Sequence, residues 1–267
     1  MKPTLNKNAI AGIGVAALLL AGGTAEAQSS DEWTWVIAPY LWASDVDLDL
    51  AVNDQSIGGS ASFSDLLDKV DTAFMGHVET RKGRWGIFGD VIYLDLSDSK
   101  TISVGPGGPI LGDLQADASL KMQIYEFGGA YDLSGGSDSS RVDLLAGIRY
   151  IDADIAADLT LPGPGAREIP IRTGPSETDF MLGFRVIHRF AERWSLGARA
   201  DVSYGGTEGI INGFGTIGYT FGDTGLFTLT AGYRYMTINM EGSTPNGSPT
   251  DVDIAMSGPV LGGVFRF

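Results

Sequence analysis

The 267-residue chain contains no cysteine and only two histidines, His77 and His188. Without thiols there is no disulfide scaffold, no thiolate zinc or iron–sulfur site and no cysteine nucleophile. Basic residues are also scarce, 18 Lys and Arg against 33 Asp and Glu, so the formal net charge is −15 and the basic footprint of a nucleic-acid-binding protein is missing. After residue 27 no apolar run comes close to the 18 or so residues that a membrane-spanning helix requires. What is abundant is glycine, 38 residues or about twice the usual share, beside 43% apolar residues. This composition excludes a disordered acidic chain and a helical bundle. It fits one sizeable β domain, because sandwiches and barrels run past 200 residues as single units.

Residues 1–27 have the three parts of a secretory signal: Lys2 and Lys7 in a polar start, an apolar run from Ala9 to Gly23, and Ala25-Glu26-Ala27 before Gln28. The apolar run of 15 residues is too short to cross a bilayer comfortably. A leader over 1–27 and a mature domain over 28–267 are therefore expected, and removing Lys2, Lys7 and Glu26 leaves 16 basic and 32 acidic residues.

Strict alternation dominates the mature chain. Trp194, Leu196, Ala198, Ala200, Val202 and Tyr204 alternate with Ser195, Gly197, Arg199, Asp201 and Ser203, which is a strand with one apolar face and one small or charged face. Phe180 to Val186 and Phe227 to Tyr235 repeat the pattern. A soluble sandwich would bury the apolar face. A membrane barrel turns it to lipid, with aromatic residues at both rims. Ten such segments are predicted, at 33–52, 72–81, 84–97, 114–133, 141–159, 177–190, 194–204, 210–221, 226–240 and 252–267. Connections after the second, fourth, sixth and eighth are turn-like. Those after the first, third, fifth and ninth are long, and only the seventh, 205–209, is short where a long one is expected. Short turns on one rim and long loops on the other are the habit of outer-membrane barrels, whose short turns are periplasmic. The expected fold is all-β, a closed antiparallel up-and-down transmembrane barrel of ten strands within a range of eight to twelve. Ser64 to Lys69 reads as a short capped helix in the first long loop, and the Pro/Gly-rich loops 104–112 and 161–175 are expected to be poorly ordered. Gly-x-Arg recurs at 147–149, 183–185, 197–199 and 232–234.

The chain ends Gly-Pro-Val-Leu-Gly-Gly-Val-Phe-Arg-Phe, with Phe265 and Phe267 on one face. This resembles the C-terminal signal of bacterial outer-membrane β-barrel proteins, and the architecture is similar to the small OmpA-like and opacity-type barrels, with ten strands in place of their eight. Ala38-Pro39-Tyr40-Leu41-Trp42 resembles a motif of proteobacterial outer-membrane proteins. The resemblance implies localisation in the cell outer membrane, contact with outer-membrane lipid and lipopolysaccharide, and assembly by a barrel-assembly machinery that reads Phe265 and Phe267. It implies no catalytic residue.

With the apolar faces outward, the lumen receives Arg149, Arg185, Arg199, Arg234 and Lys121 with Glu79, Asp90, Glu126 and Asp201. Lys121 and Glu126 differ in parity, so placing both inside needs a bulge. Charges in a low-dielectric interior require pairing, which predicts a salt-bridge network across the lumen, either closing it or lining a narrow gated path. His77 shares its face with Glu79 and Arg81 and is expected to hydrogen-bond Glu79; His188 falls on the apolar face near the short-turn rim. Asp45, Asp47 and Asp49 share one side of the first strand and Asp152 and Asp154 one side of the fifth. Carboxylates suit Ca²⁺ or Mg²⁺, but the ligand set is incomplete, so a solvated acidic rim is the simpler reading, with cation bridging to lipopolysaccharide phosphates as the alternative. Trp33, Trp35, Tyr40, Trp42, Trp85, Tyr93, Tyr150 and Trp194 are assigned to interface girdles. The expected function is a structural or porin-like barrel without resident cofactor. Surface adhesion through acidic loops is the second reading and a lipid-modifying enzyme the third.

Overall fold

The computed structural model describes residues 32–52, 55–64, 70–104, 112–135, 139–161, 167–174, 176–243 and 247–267. The expected leader, the loop residues 105–111 and 162–166 and most of the expected Ser64 to Lys69 helix lie outside them.

Among the described residues thirteen strands form one sheet: β1 Thr34–Trp42, β2 Asp45–Val52, β3 Gln55–Ala61, β4 Val70–Lys82, β5 Trp85–Val104, β6 Gly112–Asp132, β7 Ser140–Leu161, β8 Arg167–Thr173, β9 Ser176–Arg189, β10 Trp194–Gly205, β11 Gly209–Phe221, β12 Phe227–Ser243 and β13 Pro249–Arg266. The order β1-β4-β5-β6-β7-β9-β10-β11-β12-β13 closes on itself, because β13 pairs with β1 through registers such as Ile37↔Phe265 and Leu41↔Leu261. The result is a closed antiparallel barrel of ten staves. Strand β2 continues the stave of β1 alongside β13 after a break at Ala43 and Ser44. There the chains approach so closely that a side chain at Gly258 would collide with the Ala43 carbonyl oxygen, which is why glycine stands at that position.

Two long connections carry strands of their own. Strand β3 folds back on β2, and β8 folds back on β7 from Ile155↔Thr173 to Leu161↔Arg167. Within the connection 161–175, expected to be poorly ordered, residues 167–173 form strand β8 beside a strand that already overhangs the barrel. On the opposite rim the β4–β5 turn is a tight Gly83-Arg84 pair in which Gly83 has φ 57°.

The outer surface shows why this sequence closes into a barrel. Trp35, Trp85, Trp194, Leu229 and Phe265 near one rim, and Tyr125, Tyr150, Phe180, Tyr204 and Tyr235 nearer the other, all point outward and are exposed. From Trp194 to Tyr204 the chain advances about 33 Å, or about 25 Å of height at the usual 35–45° tilt. That matches the apolar band of an outer-membrane barrel. Strands β5, β6 and β7 have 20, 21 and 22 residues, about twice the span a membrane strand needs, so they continue past the upper girdle.

Candidate functional site

The lumen consists of stacked layers, and its middle layer holds the charges. His77, Asp90, Glu126, Arg149 and Asp179 stand in direct register across β4, β5, β6, β7 and β9. Arg149 is wholly buried; it donates to Glu126 at 2.6 and 3.0 Å, to Asp201 at 2.5 Å and to Ser203 at 3.1 Å. Arg199 donates to Asp201 and Glu126, both at 2.7 Å, and Asn212 donates to Asp201 at 2.7 Å. Both oxygens of Glu126 and both of Asp201 are therefore satisfied, the condition under which burial of such charges is tolerated.

Closer to the short-turn rim, Glu79 and Asp143 share Arg81 and Arg185. Arg185 reaches Glu79 at 2.6 Å and Asp143 at 2.7 Å; Arg81 reaches them at 2.7 and 2.8 Å. A hydrogen-bonded chain joins the two clusters. Asn212 accepts from Arg234 at 2.9 Å, Arg234 donates to the Tyr40 hydroxyl at 3.2 Å, and Tyr40 donates to Asp90 at 2.8 Å. His77 lies between Asp90 at 3.2 Å and Glu79 at 3.4 Å. Arg234 also lies over the rings of Trp42 and Phe214, 4.8 and 5.7 Å from their centroids, which supplies cation–π stabilisation where, among the described residues, no carboxylate pairs with it.

Eight of the nine residues expected in the lumen network are there, and Lys121 is the correction. Strands β5 and β6 keep unbroken register from Trp85↔Tyr131 to Val104↔Gly112. Without a bulge, parity leaves Lys121 outside, between Asp95 and Asp154 in register and 5.7 Å from the Tyr93 ring. Two girdle assignments are also corrected: Tyr40 and Trp42 point inward, because β1 exposes Trp35, Ile37 and Leu41 on its odd positions. Arg81, Arg141, Asp143 and Asp179 belong to the network beyond the nine residues expected, and each shares parity with a lumen residue on its own strand. Asp179 ties down the short seventh connection, accepting from the Thr207 amide at 2.9 Å and from Ser203 at 3.0 Å. His188 lies on the outer face, with Nδ1 2.7 Å from the Ser140 hydroxyl.

The recurring Gly-x-Arg now has a physical reason. Both residues face the lumen, and the glycine vacates the space beside the neighbouring stave. A side chain at Gly183 would collide with Asp201, and one at Gly232 with the Thr216 backbone. The two-residue spacing thus sets a buried arginine next to the gap in which its network packs.

Above the charges the lumen becomes apolar. Met75, Ile92, Met122, Ile124, Ile151, Ile210, Met236, Ile238, Met240, Val252, Ile254 and Met256 form one continuous buried cluster, with Met122, Met236 and Met256 fully shielded. The six methionines after residue 27, Met181 among them, all lie inside. Outside these same strand segments stand Asp45, Asp47 and Asp49 on β2, Asp152 and Asp154 on β7, and Asp251 and Asp253 on β13. Above the girdle the sheet therefore has a soluble protein's polarity. At the boundary Tyr150 donates to Asp152 at 3.3 Å and Tyr125 to Gln123 at 3.0 Å. The five acidic rim residues do not converge on one cation. Strands β2 and β7 are far apart around the ring, and among the described residues no three acids or histidines gather as a metal-binding group.

A closed ten-stave barrel with an aromatic-bounded apolar belt outside and paired charges inside is an integral outer-membrane β-barrel. The outer membrane protease OmpT from Escherichia coli has a similar fold, with TM-score 0.56 and 9% identity over 90% of this chain and 98% of that one. The translocator domain of autotransporter NalP from Neisseria meningitidis follows at TM-score 0.39 and 13% identity, over 88% of this chain and 89% of that one. OprG from Pseudomonas aeruginosa gives TM-score 0.37 and 11% identity, over 91% of this chain and 98% of that one. At such identities the likeness concerns fold alone. No protein-family model and no curated protein sequence matches the chain.

Proposed function

We propose that this protein is a sealed, non-conducting outer-membrane barrel, a structural mount that carries an acidic collar beyond the outer leaflet. One observation supports the reading: buried side chains meet across the lumen at two successive levels, the charge network around the fully buried Arg149 and the apolar cluster around Met236 and Ile254. An ion meeting the second level would have to shed its water with no polar group in exchange, a barrier that excludes steady porin conduction.

The test is planar-bilayer recording of refolded protein. No ion steps are expected from the wild type, nor from Arg199→Ala with Asp201→Ala, because the apolar level stays shut. Steps are expected only when Met236→Ser, Ile238→Ser and Ile254→Ser are added. Steady conductance of the wild type overturns the reading.

The polarity inversion favours recognition through the collar as a second reading. A rim dense in carboxylates attracts cationic surfaces and cationic peptides at low salt. In this picture lipid and lipopolysaccharide surround the girdle, and assembly depends on Phe265 and Phe267, which face outward at the barrel's end. The proposal includes no cofactor and no catalysis. The protease named among the similar folds lends no activity here, and among the described residues the side-chain hydrogen bonds of His77 run to Asp90 and Glu79.

A further inference from the structure

Beneath the charge network, at the short-turn rim, the lumen widens into a cavity of about 320 Å³. That volume is at the lower end of small-molecule sites. Its charge is opposite to that of the whole protein: Arg141, Arg189, Arg193 and Arg266 line it, with Asp132 as the acid. Asp132 is one carboxylate against four guanidinium groups, and its Oδ1 accepts from the amide and hydroxyl of Ser134 in its own turn. Arg141 is held by Asp143 at 3.2 Å and Arg193 by Asp223 at 3.0 Å. Among the described residues no carboxylate lies within ion-pair distance of Arg189 or Arg266, although both open onto the same cavity.

The wall between them is hydroxylic. Ser195 and Thr216 face the cavity, and each stands against a glycine of the adjoining stave. A side chain at Gly218 would come within 2.8 Å of the Ser195 hydroxyl, and one at Gly197 within 2.7 Å of the Thr216 hydroxyl. The glycines keep open the space in front of these two donors. Arg141 on the cavity wall is bound to Asp143, which also holds Arg185, so the cavity backs onto the buried ion-pair network.

We propose that this vestibule is a binding pocket for a small oxyanion from the periplasm, a phosphate- or carboxylate-bearing metabolite. It would be clamped by the guanidinium groups of Arg189 and Arg266 and hydrogen-bonded by Ser195 and Thr216. Guanidinium forks match carboxylate and phosphate oxygens in pairs, and the hydroxyls add donors that a bare cationic surface lacks. That the vestibule stops at this network rests on the sealed lumen proposed above, but binding is measured separately from conductance, so the two can fail independently.

The test is titration calorimetry of detergent-refolded protein at low salt with pyrophosphate and, separately, with citrate. The wild type is expected to bind at least one probe saturably at one site; which probe binds distinguishes phosphate from carboxylate recognition. Arg189→Gln and Arg266→Gln should each weaken binding tenfold or more, and Gly218→Val should abolish it by filling the space before Ser195. Arg84→Gln, whose guanidinium stacks on Tyr131 and does not line the cavity, should bind as the wild type does. Heat-modifiable gel migration establishes that each variant has folded, and if Arg266→Gln fails to assemble next to Phe265 and Phe267, the Arg189→Gln and Gly218→Val pair carries the test. Absence of saturable binding by either probe overturns the proposal, as does equal weakening by Arg84→Gln and Arg189→Gln.

Discussion

Below the upper tyrosines the barrel is apolar outside and ionic inside; above them it is acidic outside and apolar inside. The change occurs within single strands. On β7, Arg149 faces the lumen and Tyr150 the lipid, and a few residues further on Ile151, Ala153 and Ile155 face the lumen while Asp152 and Asp154 face out. On β12 the lumen face passes from Arg234 to Met236, Ile238 and Met240. The backbone and the hydrogen-bonded ladder are the same in both regions, so the solvent on the outside alone sets which face must be apolar. The comparison therefore locates the membrane boundary from side-chain chemistry, at the level where tyrosine hydroxyls reach up to the first acidic or amide side chain.

It also explains how the interior can hold such different contents. Next to lipid the outer face already supplies the apolar surface, and the interior is free to specify the barrel through buried ion pairs. Above the membrane the interior has to supply hydrophobic burial itself, and flexible methionine fills irregular space between the staves.

The largest expected effect strikes the ionic side. Arg149→Ala removes the cation shared by the buried Glu126 and Asp201 and should destabilise the barrel by about 3–5 kcal/mol, the usual cost of leaving a buried charge unpaired. Unfolding in detergent, followed by tryptophan fluorescence, measures this. A loss below about 1 kcal/mol, the worth of an exposed pair, would mean that the network is wetter than its burial shows.

A paired substitution sharpens the boundary itself. Ala198 on β10 and Ala255 on β13 both point outward, the first between Trp194 and Tyr204 and the second beside Asp47 in register. Ala198→Arg places a cation in the lipid belt and should cost about 2–4 kcal/mol, whereas Ala255→Arg should change stability by less than about 0.5 kcal/mol. Equal costs at the two sites would show that the inversion does not mark the membrane surface.

Much of this could be read in the sequence, and the parts that could not be read share a cause. The strand number and the lipid face were legible because Trp194 to Tyr204 and Phe227 to Tyr235 alternate without interruption. The ion pairs followed from parity. Three things were not legible. Tyr40 and Trp42 sit on a strand with aromatic residues on both faces, so composition gave no direction. Lys121 depended on a bulge that the unbroken β5–β6 register rules out. The apolar lumen layer escaped because a single rule, apolar toward lipid, was applied along strands that leave the membrane halfway. Parity already placed Ile92 and Leu94 with Asp90, and the height at which the rule reverses follows from the three-dimensional tilt and length of the staves.

The smallest expected effect belongs to the collar, where solvent screens the charges. Glu208, in the β10–β11 connection, has its carboxyl held above the usual glutamate range, first by a hydrogen bond with Glu241 and then by the like charge of that residue. A raised folded-state value means that the pair's contribution to stability is complete below the unfolded value and is lost as pH rises through the folded one. The collar should therefore tighten slightly on acidification, in the window just above the ordinary glutamate value. Amide exchange at Glu208 and Gly209, corrected for its intrinsic pH dependence, should show protection a few-fold higher at about pH 4.5 than at about pH 7. Glu208→Gln, which holds a proton-like donor at every pH, should remove that difference. Wild-type protection that stays level across the window would show that Glu208 and Glu241 do not share a proton, and the collar's acids would then act as independent solvated charges.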